Sequence, residues 1–495
     1  MKITLKQITI VMVFMICYAC DDYLEILPEG QENSENYFNS ESDYQNALVG
    51  VYDLLSTTYL SNVLGEIASD NTLCGGGNAT DVLEWQQIDD MIHTADNAAL
   101  RNVFQWMYAG ISRANYIIEF KDKTDFSGKD QLLAENLFLR SYFYFELVKF
   151  FGDVPMYLDG RISIEETQSI DRTPKAQVYA QLEQDLNSII DDLPWQQDQS
   201  GRVTKGAALA LLGKIYLYQD KFSQAAVVLD RVINEGPYDL VNDYSTVFLN
   251  SNENNIESVF EVQYSGGQEG ASFDCFPCVE GNVAAGFMGV RWLGGDFSPY
   301  AFGFSFNVPV PELYDAYEDG DSRREATIFD VDAFIAANPP APGEDPITYS
   351  EGNEHTGYFN HKYLPYQEAI LPDQNINHGN NYRAIRFSDV LLMAAEAYNR
   401  GGLGDGVAQN YLNRVRERAF GDSNHNITAS GASLTQAIWN ERRLELAGEG
   451  HRFFDQVRTG QTNSIPGFTD KNVLFPIPRI EIELAGNRWP QNDGY

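Results

Sequence analysis

The side chains best equipped for chemistry in this 495-residue chain are a few cysteines and a large store of rings. Cys275-Phe276-Pro277-Cys278 places two thiols three residues apart. Such a pair serves as half of a zinc site, a redox couple or a local disulfide. Structural zinc asks for four ligands, and beyond the first 20 residues neither a second CxxC nor an HxxxH exists. A thioredoxin-like couple asks for βαβ surroundings, and the flanking sequence offers none. The expected use is a small loop-stiffening disulfide between Cys275 and Cys278, with Cys74 a buried thiol. No serine nucleophile elbow, HExxH or P-loop is present. Asp319-Gly320-Asp321 is too short for a calcium loop and reads as a turn. No catalytic residue, metal or cofactor is therefore assigned. The rings point elsewhere: 28 Tyr, 29 Phe and 6 Trp exceed what a helical core needs. The surplus suits contact with planar or sugar-like ligands. With 34 basic against 71 acidic residues the net charge is −37, which repels phosphate backbones and argues against nucleic acid.

The first segment sets the compartment. Lys2 and Lys6 precede an apolar run from Ile8 to Ala19. That run is shorter than the roughly 20 residues a bilayer span requires, and it suits a signal-peptide core over 1–19. Cys17-Tyr18-Ala19-Cys20 then meets Asp21-Asp22. A small residue before a cysteine resembles the lipobox of bacterial lipoproteins, although Tyr18 and Cys17 stand where a small residue and Leu are usual. Bulky Ile16 makes Cys17 the poorer acceptor. Cys20 is the expected lipidation site, and two or more acyl chains hold a protein stably on a membrane. Asp21-Asp22 resembles the acidic tag of lipoproteins on the outer face of the outer membrane. Export to an oxidising compartment also favours the Cys275–Cys278 bridge.

The elements that must position the rings are mostly helices. Leu133, Leu137, Tyr144, Phe145 and Val148 recur at helical spacing until Gly152 and Pro155 stop the run. Thr204 caps a helix to about Tyr218, and Gln219-Asp220-Lys221 turns into a second helix ending at Gly236-Pro237. Leu212-Gly213, Tyr216, Ala225, Leu229 and Pro237 fall at tetratricopeptide spacings, with Gly213 and Ala225 small for close helix approach. A looser copy starts at Leu391, with Ala394, Ala395 and Tyr398. Its partner helix runs from about Val407 to Ala419, after the helix stop Gly401-Gly402-Leu403-Gly404. Between about 240 and 380 the texture changes. Ser258 to Tyr264 alternates like a strand, and 265–310 and 338–381 are rich in Gly, Asn, Pro and aromatics. Long loops in a compact protein usually carry function. The expected fold is mainly α: a tetratricopeptide-like helical repeat scaffold with long irregular loops and a few short strands.

Several blocks together resemble the SusD/RagB family of outer-membrane nutrient-binding lipoproteins. They include Cys20-Asp21-Asp22-Tyr23-Leu24 with Pro28, Leu139 to Leu147 running into Gly152-Asp153-Val154-Pro155, and Thr204 to Leu212. Glu441-Arg442-Arg443-Leu444-Glu445-Leu446, Glu449 to Asp455 with Arg458, Phe475 to Arg479, and Gln491 to Tyr495 follow in order. The resemblance implies a SusD-like N-terminal region over 20–250 and a RagB/SusD C-terminal region over 251–495 carrying ligand-facing loops. It also implies surface capture of oligosaccharides, or peptides, for a SusC-like TonB-dependent β-barrel, by binding without chemistry. Surface glycosidase and periplasmic helical-repeat adaptor are the competing readings.

Most of the signatures have a structural use. Glu441, Glu445 and Glu449 share one helical face, and Arg442, Arg443, Arg452 and Arg458 are expected to neutralise them. His451 is expected to be structural, and Pro478 and Tyr495 to lock the last segment onto the scaffold. Ligand platforms are expected among loop aromatics, because Trp and Tyr present wide faces at low entropic cost. Trp85 follows Cys74-Gly75-Gly76-Gly77-Asn78, while Trp292 and Tyr300 sit in the Gly-rich loop after Cys278. Asp70 and Asn71 stand where the resemblance implies a polar ligand contact.

Overall fold

The computed structural model describes residues 37–495 apart from 267–272, 274, 296–297 and 368–375. The leader, Cys20 and Asp21-Asp22 lie outside the described residues. Helices dominate, and among the described residues none is long and apolar enough to cross a membrane.

The helices used below are α1 (Glu41–Asp53), α2 (Tyr59–Ile67), α3 (Leu83–Asp89), α4 (Ala98–Glu119), α5 (Lys129–Phe151) and α6 (Lys175–Ile189). After them come α7 (Lys205–Leu217), α8 (Phe222–Glu235), α9 (Val283–Met288), α10 (Phe387–Arg400), α11 (Asp405–Phe420), α12 (Gly431–Glu445) and α13 (Arg452–Thr459). The strands are β1 (Ser258–Val262) and β2 (Tyr382–Arg386), plus two- and three-residue pairs.

Helix α5 is covered by neighbours over most of its circumference: Phe138, Leu139, Phe143, Phe145, Leu147, Phe150 and Phe151 are all buried, and so are the polar Glu135, Asn136, Arg140 and Glu146. Packed by α1, α4 and α6, it forms the centre of the N-terminal half. Its buried Arg140 donates to Asp185 on α6 at 2.8 Å and to Asn115 on α4 at 3.0 Å, pinning three helices together. Gly152 ends it at φ 70, a left-handed turn that suits glycine.

The repeat pairs form where their spacing predicts. Thr204 Oγ1 accepts the Ala207 N–H at the start of α7. A Cβ at Gly213 would lie 2.5 Å from the Leu229 side chain on α8, so the crossing requires a residue without one. Helices α10 and α11 make the second pair, and α8 packs directly on α10. The two pairs stack as neighbours although β1, β2 and the aromatic loops separate them in sequence. Tyr398 and Tyr411 both donate to Asp230 of α8 and join the pairs across that seam. Strands β1 and β2 pair antiparallel with Glu261 opposite Arg383, and the strip is covered on both faces.

One electrostatic expectation is overturned. The partners of Glu441, Glu445 and Glu449 are Arg323, Arg386, Arg416, Arg418 and Lys362. Arg442, Arg443, Arg452 and Arg458 turn instead to Asp389 and Asp455, to Asn71, to Asp70, and to Glu396. For Arg442 and Arg443 the cause is helical geometry, since one residue along α12 turns a side chain by about 100°, onto another face. Arg452 and Arg458 stand on the separate helix α13, and Glu449 lies in the turn after α12 rather than on the face of Glu441 and Glu445. Burial pushes His451 down to about 3, with Lys214 adding to the effect, so it stays neutral. At the C-terminus the Tyr495 hydroxyl meets His93 Nε2 at 2.9 Å, and Asn492 Nδ2 donates to the carbonyls of Phe151 and Phe475. The last segment is thereby locked on the scaffold.

The loops are less irregular than their composition suggests. Val290, Leu293, Tyr300, Phe329, Val331, Ile347, Phe359 and Leu364 form a small second core beneath them.

Candidate functional site

A cleft of about 430 Å³ opens between the helical scaffold and this loop module. Its scaffold wall comes from Tyr59 and Leu60 of α2, Glu84 and Trp85 of α3, and Asn102 of α4. The loop module supplies Phe273, Phe276, Phe287, Arg291, Trp292, Phe304 and Phe306. The rings are continuous: Trp292 to Phe304 at 6.2 Å, Phe304 to Phe287 at 5.8 Å, and Phe287 to Phe276 at 5.9 Å between centroids.

Trp292 is aimed outward by its neighbours. Val290 and Leu293 are anchored in the small core, and the intervening indole remains 51% exposed. Its backbone takes φ 51, a left-handed conformation that costs a bulky residue about 1–3 kcal/mol and occurs preferentially at binding sites. Val82, another cleft residue, adopts φ 48. The Trp292 turn is held by Gly303, whose N–H donates to the Val290 carbonyl at 2.7 Å. A Cβ there would meet the Gly289 backbone at 2.4 Å. Phe302 stacks on the indole at 5.1 Å with 27° between planes, and the Arg291 guanidinium lies 5.8 Å from its centroid.

Trp85 joins the same cleft in another role. It sits on α3 rather than in a loop, is 4% exposed, and meets Phe287 and Phe306 edge-on at 4.8 and 5.3 Å. It is the floor, not a free platform. Asp81 accepts the Gly77 N–H at 2.7 Å and faces Arg291 at 3.8 Å. With Glu84, these give the rim two carboxylates and one guanidinium. Burial pushes Asp89, the last residue of α3, up to about 7 although it accepts the Cys74 N–H.

The other expected contacts lie elsewhere. Tyr300 is 9% exposed in the small core, packed by Phe329, Phe334 and Tyr366, with its hydroxyl 3.0 Å from His361 Nε2. Segments 329–334 and 361–366 close over the ring, which overturns the expected platform. Asp70 takes two hydrogen bonds from Arg452 at 2.7 and 2.8 Å. Burial opposes its charge, but Arg452 outweighs burial and holds the carboxyl below its usual range. Asn71, fully buried, accepts from Arg443 Nε at 2.7 Å. Both side chains stitch the end of α2 to α12 and α13 instead of lining the cleft. Cys275 and Cys278 are joined, and Cys74 is buried and free. Sequence reasoning missed Phe273, Phe276, Phe287, Phe304 and Phe306; the density of rings between 273 and 306 was the available signal. A second open cleft, of about 480 Å³, mixes the side-chain amides of Gln196, Gln197, Gln199, Asn254 and Asn255 with three rings, Trp195, Tyr238 and Phe260. The ring array favours the first. Among the described residues no cluster of His, Cys, Asp or Glu suits a metal ion.

Comparison with known proteins finds consistent likenesses. The model of the SusD family matches residues 256–467, and a model described as starch-binding, associating with the outer membrane, matches 22–217. A SusD-like protein P2 of Formosa agariphila is 28% identical, with 99% of each chain covered. Among solved structures, a laminarin-binding SusD-like protein is 34% identical at TM-score 0.82, covering 92% of this chain and all of its own. Surface glycan-binding protein A from Bacteroides thetaiotaomicron, in complex with laminarihexaose, is 27% identical at TM-score 0.81, covering 91% of this chain and 99% of its own.

Proposed function

The chain belongs to the SusD family, and from that premise we propose that it captures a neutral oligosaccharide of laminarin type at the cell surface. The observation that carries the reading is the ring array from Trp292 to Phe276 around one open cleft. Pyranose rings offer apolar C–H faces to such platforms, and hydroxyls to the carboxylates and guanidinium at the rim. The excess of carboxylate over cation there disfavours sulfated or uronic polymers. The laminarin-binding relative at 34% identity supports a glucan. No bond is made or broken in this function: the protein concentrates ligand and passes it to a SusC-like TonB-dependent barrel in the outer membrane. Isothermal titration with laminarihexaose is expected to show saturable one-site binding, with sulfated glycans and peptides silent. Binding of peptides alone would reverse the assignment.

The same reading places the chain on a lipid anchor at Cys20, exposed to the exterior. Cys20→Ala is expected to move the protein from the detergent phase to the aqueous phase on partitioning, because two or more acyl chains supply the membrane affinity. Retention of the variant with the detergent would exclude that anchor.

A further inference from the structure

We infer that the Cys275–Cys278 disulfide is a positioning element of the cleft, holding the Phe276 ring in place as a wall against which the ligand packs. This inference rests on the glucan reading and concerns the same site. A bridge across a sequence separation of 3 closes a very short loop. Loop-closure stabilisation grows with loop length, so this bridge contributes little to the stability of the whole chain. Its effect is local, and Phe276 is what it localises. Phe276 opens a single 3₁₀ turn spanning Phe276–Cys278, with Pro277 fixing the next φ. That turn has two backbone hydrogen bonds, Cys278 N–H to Cys275 and Val279 N–H to Phe276, both at 3.1 Å. One isolated turn of this kind does not support itself. Ser265 N–H donates to the Glu280 carbonyl at 2.9 Å and closes the neck of the loop, while Val279 is buried beneath the turn. Above that anchor, the bridge keeps the Phe276 ring 6.2 Å from Tyr59 of α2 and 5.9 Å from Phe287 of α9. Phe276 thus joins the scaffold wall to the ring chain that ends at Trp292.

The test compares the full chain with Phe276→Ala, with Cys275→Ser/Cys278→Ser, and with all three changes together, titrated with laminarihexaose. Phe276→Ala and the serine pair should each weaken binding about tenfold, as loss of an aromatic anchor does. The melting temperature should stay at the wild-type value. The triple variant should bind within about twofold of Phe276→Ala, because both changes remove one interaction and their effects do not add. Wild-type affinity in the serine pair, or multiplied losses in the triple variant, overturns the inference. If the wild type takes up no laminarihexaose, the glucan reading fails on its own. Amide exchange then decides the positioning claim: the amides at 278 and 279 should exchange at least about tenfold faster in the serine pair. Unchanged exchange there overturns it without any ligand.

Discussion

Arg386→Met is expected to destabilise the fold by about 3–5 kcal/mol, the range for removing one partner from a buried ion network. The guanidinium of Arg386, 1% exposed at the end of β2, donates to both oxygens of Glu449 at 2.7 and 2.8 Å and to Glu445 at 3.0 Å. It also bonds Glu257, Ser388 Oγ and the Glu445 carbonyl. Arg418, Arg323 and Lys362 remain after the substitution, but they cannot fill the centre that Arg386 occupies. Lysine would not rescue it, since one ammonium cannot reproduce the planar fork. The pH dependence follows with a definite sign. Burial alone would raise Glu445 and Glu449, but Arg418, Arg386 and Arg323 around the first, and Arg386 and Lys362 around the second, hold both below the usual carboxylate range. Carboxyls depressed in the folded state add stability above their unfolded pKa of about 4.3 and lose it as the pH falls through their folded values. Arg386→Met weakens that depression, so acid unfolding should begin at higher pH than in the wild type. Urea unfolding measured across pH checks both statements; a loss under about 1 kcal/mol at neutral pH would show the network to be dispensable.

This network marks the limit of what local sequence reveals. The repeat helices were legible because their determinants lie close together: Gly213 and Leu229 meet across one turn, and Thr204 caps the helix it begins. The cations facing Glu441, Glu445 and Glu449 were not legible, because Arg323, Lys362 and Arg386 arrive from the loop module and β2. The candidate site divides in the same way. Trp292 could be read as exposed since no period assigns it to a core, and its neighbours Val290 and Leu293 are what hold it out. Tyr300 carried the same local signal, yet Phe329 and Phe334, nearly thirty residues or more away, fold over it. Helix α3 is too short to announce itself by periodicity, so Trp85 looked like a loop residue. Asp70 and Asn71 find their partners at Arg452 and Arg443, across almost the whole length of the chain.

Trp292→Ala is expected to weaken laminarihexaose binding by about 1–3 kcal/mol, the range for removing a stacking ring or an aromatic anchor. Stability should barely change, because half of the indole already faces solvent and its contacts with Phe302 and Phe304 lie at the surface of the loop module. Trp85→Ala supplies the contrast. That ring is the closed floor of the same cleft, and its removal leaves a cavity costing about 3–5 kcal/mol of stability. The two tryptophans therefore separate on a plot of affinity loss against unfolding midpoint. Trp292→Ala should fall on the affinity axis alone, and Trp85→Ala should carry a large stability loss. The separation follows from position: Val290 and Leu293 tether the backbone at Trp292 independently of its ring, whereas Phe287 and Phe306 pack directly on Trp85. Titration and thermal unfolding of both variants provide the measurement. A Trp292→Ala protein with intact affinity and a lowered midpoint would place that ring in the packing of the module and move the ligand to another face.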